Sequence, residues 1–312
     1  MLQVPAKGSA RSESKHNCNL GIHADWVEAS VLFSVDTVSR SDIVDALMEG
    51  QIYSEQNFAS EWAGLILAEL GRRNGLLGSG AASTREGNRI RRIHAWTDRR
   101  AYAFCICLAI TPLYRRAIEK SLGKKYAEQG ALFERLCAES FQASDWTVEP
   151  VAWSRSAANS IEDKLVALTT AIGEPVIAGA VGKWTAQRAK DAGLDLVAWL
   201  PYPDGWGGRP ICLIQCASGE DWEDKLHTPN LETWKKLVDF TTKPLKGLAM
   251  PFAPDADTFR LKSNTDLLML LIDRHRLLTP TAGATWTLSA SLAKDLKVWT
   301  EARVKVLPDD AH

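Results

Sequence analysis

The sequence predicts an α/β protein built in two parts: an all-helical N-terminal domain, then a mixed sheet flanked by helices. Three observations carry this reading. Helical spacing of apolar residues dominates from about residue 19 to 127; from 128 onward helical and β-rich runs follow one another. Two of those runs, Leu194 to Leu200 and Ile211 to Cys216, flank "PYPDGWGGRP", whose Pro and Gly content marks the turn of a hairpin.

Taken in order, residues 1–18 are polar with little periodicity and read as a disordered arm. Ser39 and Asp42 have capping-box spacing before "IVDALMEG", with Gly50 placed to end that helix. Phe58, Trp62, Leu65, Ile66 and Leu70 recur on one helical face, which reads as stopping near Gly71. A Gly/Ser/Ala-rich loop is expected over residues 75–84. "AYAFCICLAITPLYRRAIEKSL" predicts a buried helix bent or divided at Pro112. Residues 128–312 form the second domain: a helix over "ALFERLCAESF", the hairpin, a helix over "NLETWKKLVDF", a strand over "LKGLAMPF", and a strand leading into a helix or turn over "LLMLLIDRHRLLT".

Composition narrows the function classes. With 312 residues, 46% of them hydrophobic, and a net charge of −1, the chain can bury a sizeable core and carries no global bias toward polyanions. No apolar run approaches the roughly 20 residues of a membrane span, and no secretory signal opens the chain, so it reads as cytoplasmic with no membrane partner. The six cysteines are dispersed in apolar segments, as reduced core thiols are. "GWGG" at residues 205–208 follows a strand but opens no helix, and no Gly-rich loop with a Lys and Ser/Thr occurs, so no ATP-driven motor is encoded.

Charge is concentrated locally. "REGNRIRRIHAWTDRR", from Arg85 to Arg100, holds six arginines against two acids, with His94 and Trp96 interleaved. It reads either as a solvated face or as a phosphate-contacting stripe, with Arg89, Arg91, Arg92, Arg99 and Arg100 as the contacts and Trp96 as a stacking ring.

The chemistry points to the hairpin, where Asp195 and Gln215 interrupt apolar strands. If Leu200 faces Ile211, antiparallel pairing puts Asp195 opposite Cys216 and diagonal to Gln215; a one-residue bulge would put Asp195 opposite Gln215. Either register gathers a carboxylate, an amide oxygen and the Cys216 carbonyl, the oxygen donors preferred by hard divalent cations such as Mg²⁺ or Mn²⁺. The bland alternative has Asp195 capping a strand end or pairing with an arginine. A further carboxylate is expected from the preceding helix, where Glu134 and Glu139 flank the apolar stripe and periodicity does not choose between them.

"LFERLCAESF", "KDAGLDLVAW", "ICLIQCA", "TWKKLVDF" and "LLMLLIDRHRLLT", in this order over residues 130–280, resemble the restriction endonuclease-like, or PD-(D/E)XK, superfamily in its D…QxK branch. The resemblance implies a central mixed sheet of four or five strands between helices and a metal-dependent DNA endonuclease of restriction or antiphage defence. It assigns metal ligation to Glu134, Asp195, Gln215 and the Cys216 carbonyl. The family's lysine, which orients the attacking water, is missing: the QxK position holds Ala217. Lys225 is the expected substitute, with Lys190 second, and Asp191 reads as a turn or cap residue. The implied partners are DNA and other defence subunits, with a homo-oligomer compatible because members that cut both strands often dimerise. Without a lysine at the site, the implied alternative is a catalytically degenerate subunit that binds nucleic acid or scaffolds a complex.

Overall fold

A computed structural model describes residues 1–9, 18–151, 161–180, 193–263, 269–282 and 287–309. The chain is mixed α/β and divides into two compact units. One comprises Met1–Leu132, Pro251–Thr258 and Asp273–His312, the other Phe133–Met250 and Phe259–Ile272. Among the described residues no single helix is long and apolar enough to cross a membrane.

The first unit is not all-helical. It holds helices α1 (Leu20–Phe33), α2 (Arg40–Glu49), α3 (Gln56–Leu77), α4 (Arg100–Ile110) and α5 (Arg115–Leu122) and a three-stranded antiparallel sheet. Its strands β1 (Thr37–Ser39), β2 (Ser83–Glu86) and β3 (Arg89–Arg92) run in the order β1-β3-β2. Much of the arginine stretch is therefore a hairpin, in which arginines alternate with the buried Ile90 around a Gly87–Asn88 turn. α2 has the expected capping box on Ser39 and Asp42. α3 runs past Gly71 to Leu77, because a helix tolerates an isolated glycine. It stops at Gly78, whose φ of +51° suits glycine. The apolar run after Arg100 is divided around Pro112, as its sequence predicts, into α4 and α5.

Residues 1–9 are not a free arm. Leu2 is buried, bridges Asp309, and accepts a 2.8 Å hydrogen bond from Trp26 Nε1 through its carbonyl. Residues 10–17 lie outside the described residues.

The sequence reading also put the whole C-terminal region in the second domain, whereas residues 251–258 and 273–312 group with the first. The reason is a buried ion network. Arg73 on α3 meets Asp25 at 2.7 Å and Glu69 at 2.9 Å. Arg274 meets the same Asp25 at 2.9 Å and Glu28 at 3.2 Å, and the Tyr102 hydroxyl donates to Glu28. Both guanidinium groups are wholly buried, where an unpaired charge is untenable. Burial pulls Arg274 downward, but Asp25, Tyr102 and Glu28 outweigh it, so its pKa rises. Arg274 opens a helix over Arg274–Ala282, and the helix over Ala290–Val304 stacks Trp299 against Phe104 with ring centres 4.9 Å apart.

The second unit contains one five-stranded sheet of order β4-β5-β6-β7-β8: β4 (Thr147–Pro150), β5 (Leu196–Trp199), β6 (Ile211–Cys216), β7 (Leu245–Ala249) and β8 (Met269–Ile272). The first two pairings are antiparallel and the last two parallel. Helix α6 (Tyr126–Gln142) precedes β4, α7 (Ile161–Ile172) lies between β4 and β5, and the short α8 (Leu231–Trp234) lies between β6 and β7. The predicted helix over "NLETWKKLVDF" thus shrinks to one turn capped by Asn230. α9 (Ala256–Ser263) lies between β7 and β8 in the chain. One sheet face, with Val197, Trp199, Ile211 and Leu213, packs with Leu165, Leu168, Trp234 and Leu237 into a continuous core.

Candidate active site

The site grows from the register of β5 against β6. Trp199 pairs with Ile211 and Leu196 with Ile214, so one further step sets Asp195 against Gln215. Of the two registers left open by the sequence this is the second, reached without a bulge inside the ladder: Leu200 donates to Pro210, so the whole pairing is offset by one residue. The Asp195 backbone is held from both sides. Its N–H donates to Ile214 at 3.0 Å, and its carbonyl accepts from Val151 at 2.8 Å.

The Asp195 side chain closes the patch. Oδ2 accepts from the Cys216 backbone N–H at 2.6 Å and from Gln215 Nε2. Gln215, 8% exposed, also lies 3.5 Å from the Cys216 carbonyl through Nε2. Carboxylate, amide and backbone are thus joined before any ligand is considered. Gly193 makes the approach to β5 possible. It adopts φ +70°, and a Cβ there would stand 2.7 Å from Thr228 Cβ and 3.3 Å from Gln215 Oε1.

Helix α6 supplies the third side chain. Cys137 hydrogen-bonds Cys216, whose thiol is pushed well above its ordinary pKa by burial first, then by Cys137, and then by the charges of Asp195 and Glu134. The protonated Cys216 is therefore no nucleophile. On the α-helical wheel Glu134 stands about 60° from Cys137 and Glu139 about 160° away. The helix face that meets β6 therefore favours Glu134. Among the described residues no group of three or more His, Cys, Asp and Glu side chains is arranged to hold a metal ion. The possible oxygen donors are instead two carboxylates, Asp195 and Glu134, with the Gln215 amide and the Cys216 carbonyl.

Ala217 is buried and its N–H donates to Ala249 at 2.8 Å, so this position extends the β6–β7 pairing. Lys225 ends a 3₁₀ turn over Trp222–Lys225, and its carbonyl accepts from Thr228 N and Oγ1. Thr228 in turn borders Gly193, which brings the Lys225 backbone to the flank of the patch. Lys225 itself is half-buried. Lys190 and Asp191 lie outside the described residues. Sequence reasoning missed Lys246, which is 2% exposed on β7 and paired with Leu213. Two-residue alternation puts it on the sheet face shared by Leu213 and Gln215. The available signal was a lysine inside the otherwise apolar "LKGLAM".

The arginine stretch separates into two parts. On β3, Arg91 pairs with Glu86 and Arg92 with Asp36, while Arg89 is exposed. Trp96 makes an edge contact with Phe33, their centres 6.3 Å apart. Arg99 and Arg100 stand apart from the hairpin, at the start of α4. His275, in "LLMLLIDRHRLLT", is buried beside Asp273 at 3.7 Å, and burial lowers its pKa.

No family model, curated protein or solved structure matches the chain.

Proposed function

We propose that the second unit is a metal-dependent endonuclease of the restriction endonuclease-like type, hydrolysing DNA phosphodiester bonds in restriction or antiphage defence. The observation that carries this reading is the junction of Asp195 with Gln215 and the Cys216 backbone at the ends of two central strands, with Glu134 close enough to act on Cys216. The mixed five-stranded sheet, with a helix preceding its first strand, agrees with the expected architecture.

The donor set fits Mg²⁺ or Mn²⁺ in kind: carboxylate, amide and carbonyl oxygens suit a hard cation that keeps several waters. Glu134, Asp195, the Gln215 amide oxygen and the Cys216 carbonyl would hold it. When bound, the ion supplies a water of lowered pKa and neutralises charge on the scissile phosphate. The protein's own part is positional. Gly193 and the Val151 and Ile214 hydrogen bonds fix Asp195, while Cys137 against Cys216 holds the helix bearing Glu134 to the sheet. Lys225 is the residue proposed to orient the attacking water, with the DNA backbone carried by Arg89 and its neighbours.

A second reading has its own support. Ala217 removes the family's lysine, and Asp195 Oδ2 already has two donors, as a carboxylate with a purely structural role would. On this reading the unit binds nucleic acid or scaffolds a complex without cutting. Incubating the full chain with plasmid DNA and Mg²⁺ or Mn²⁺ separates the two. Cleavage by the wild type that is lost in Asp195→Ala supports the nuclease; equal cleavage by both proteins removes Asp195 from the site. DNA binding that survives EDTA, with no cutting under either metal, favours the second reading.

A further inference from the structure

A pocket of about 620 Å³ opens in the first unit and lies in the size range of small-molecule sites. Its wall includes Thr97, Asp98, Arg99, Arg100, Tyr102 and Leu288. The first residues of α4 therefore border it, and no side chain caps that helix. An α-helix leaves its first N–H groups without intrahelical partners and carries partial positive charge there.

Two guanidinium groups add to this field. Arg99 donates through Nη2 to the Ser79 carbonyl at 3.2 Å, while its Nε is buried without a partner. Arg100 donates through Nε to the Thr97 carbonyl at 2.9 Å. These backbone contacts fix both side chains without neutralising them, and among the described residues neither forms an ion pair. Asp98 is the single carboxylate among the wall residues named, so two fixed cations and a helix N-terminus outweigh one exposed acid. Tyr102 gives one wall an aromatic ring, and its hydroxyl is tied to Glu28, inside the buried ion network. The pocket is thus walled in part by a residue of the buried ion network.

We propose that this pocket binds a phosphorylated small molecule of nucleotide size, with its phosphate between Arg99 and Arg100 at the start of α4. Bidentate guanidinium contacts suit phosphate oxygens, and the Tyr102 and Leu288 walls suit a planar or apolar remainder. This assigns Arg99 and Arg100 to a ligand distinct from the DNA backbone, and it stands independently of any nuclease activity.

The test is isothermal titration of the full chain with ADP, orthophosphate and adenosine. Saturable ADP binding at one site per chain is expected, with adenosine weaker by at least about tenfold because it lacks the charge-assisted contacts. Arg99→Gln and Arg100→Gln should each weaken ADP by about tenfold or more, while Arg116→Gln on α5 leaves it unchanged. Asp195→Ala should bind ADP like the wild type, separating this site from the candidate active site. Three results would overturn the proposal: no saturation by ADP or orthophosphate at millimolar concentration, equal affinity for adenosine and ADP, or displacement of ADP by a DNA duplex lacking terminal phosphates. The wild-type titrations alone decide the matter if a variant fails to fold.

Discussion

Asp195 Oδ2 lies 2.6 Å from the Cys216 backbone nitrogen, so the carboxylate that begins one central strand secures the end of its neighbour. The same atom accepts from Gln215, and structural and chemical roles therefore meet on one oxygen. Asp195→Ala should lower stability by about 1–3 kcal/mol, because it leaves buried donors unmet. Asp195→Asn should recover part of that loss without restoring cleavage. Chemical denaturation beside a plasmid assay checks both halves; full activity in Asp195→Asn would contradict the proposed role.

Metal binding has a signature that needs no turnover. Mg²⁺ or Mn²⁺ should raise the melting temperature of the wild type and leave that of Asp195→Ala unmoved, since a ligand bound only by the folded state stabilises it by mass action. Gln215→Glu puts a second carboxylate beside Asp195, so without divalent ions it should melt below the wild type. Its metal-induced rise should be the larger of the two. A thermal scan with and without EDTA reads all three proteins.

Lys225→Ala should reduce cleavage by about tenfold or more while leaving melting nearly unchanged, since a partly exposed lysine contributes little to stability. Lys246→Met tests the buried lysine of β7. If cleavage follows Lys246 and not Lys225, the missing charge comes from β7.

Gly193→Ala tests how the chain enters β5. A side chain at φ +70° is strained, and the added Cβ would press on Thr228 at 2.7 Å. A loss of about 1–3 kcal/mol is expected, with cleavage falling further than stability alone explains. Wild-type melting in this variant would show that the local backbone adjusts freely.

His23 makes the first unit sensitive to acid. Trp62 Nε1 can only donate, and its 2.7 Å contact fixes His23 Nδ1 as an acceptor. Ser9 Oγ donates to the Pro5 carbonyl and so receives the proton on His23 Nε2 at 2.7 Å. Burial lowers the pKa of this histidine from 6.5 to about 4. Between those values the unfolded chain binds a proton that the folded state excludes, so stability falls as pH drops through 6.5 and flattens below about 4. Its share of the loss is on the order of 3 kcal/mol. Denaturation followed by tryptophan fluorescence across this range should show a shallower slope for His23→Gln.

What the sequence disclosed follows the reach of the interactions involved. The β5–β6 hairpin was legible because apolar runs flank a Pro/Gly turn, and Asp195 and Gln215 stood out as polar residues within them. Their register was not fixed, because a ten-residue connection lets the strands slide by one position. The choice of Glu134 over Glu139 required the Cys137–Cys216 contact, which joins separate elements. The β2–β3 hairpin carried a Gly-Asn turn and an Arg-Ile-Arg alternation, yet its charge masked the pattern. Arg274 was beyond local reasoning altogether, since its partners Asp25 and Glu28 lie 249 and 246 residues away.

That separation imposes an order on biosynthesis. The ribosome makes Asp25, Glu28 and Arg73 early, and the intervening chain builds all five strands of the larger sheet before Arg274 is added. Until then the two acids have one of their two buried arginines, and the N-terminal segment must wait with that imbalance inside it. The sheet unit, whose strands all precede Arg274, is free of that dependence. A nascent chain halted just short of Arg274 would therefore hold every strand of the candidate nuclease unit while Asp25 and Glu28 still lack one of their two arginines.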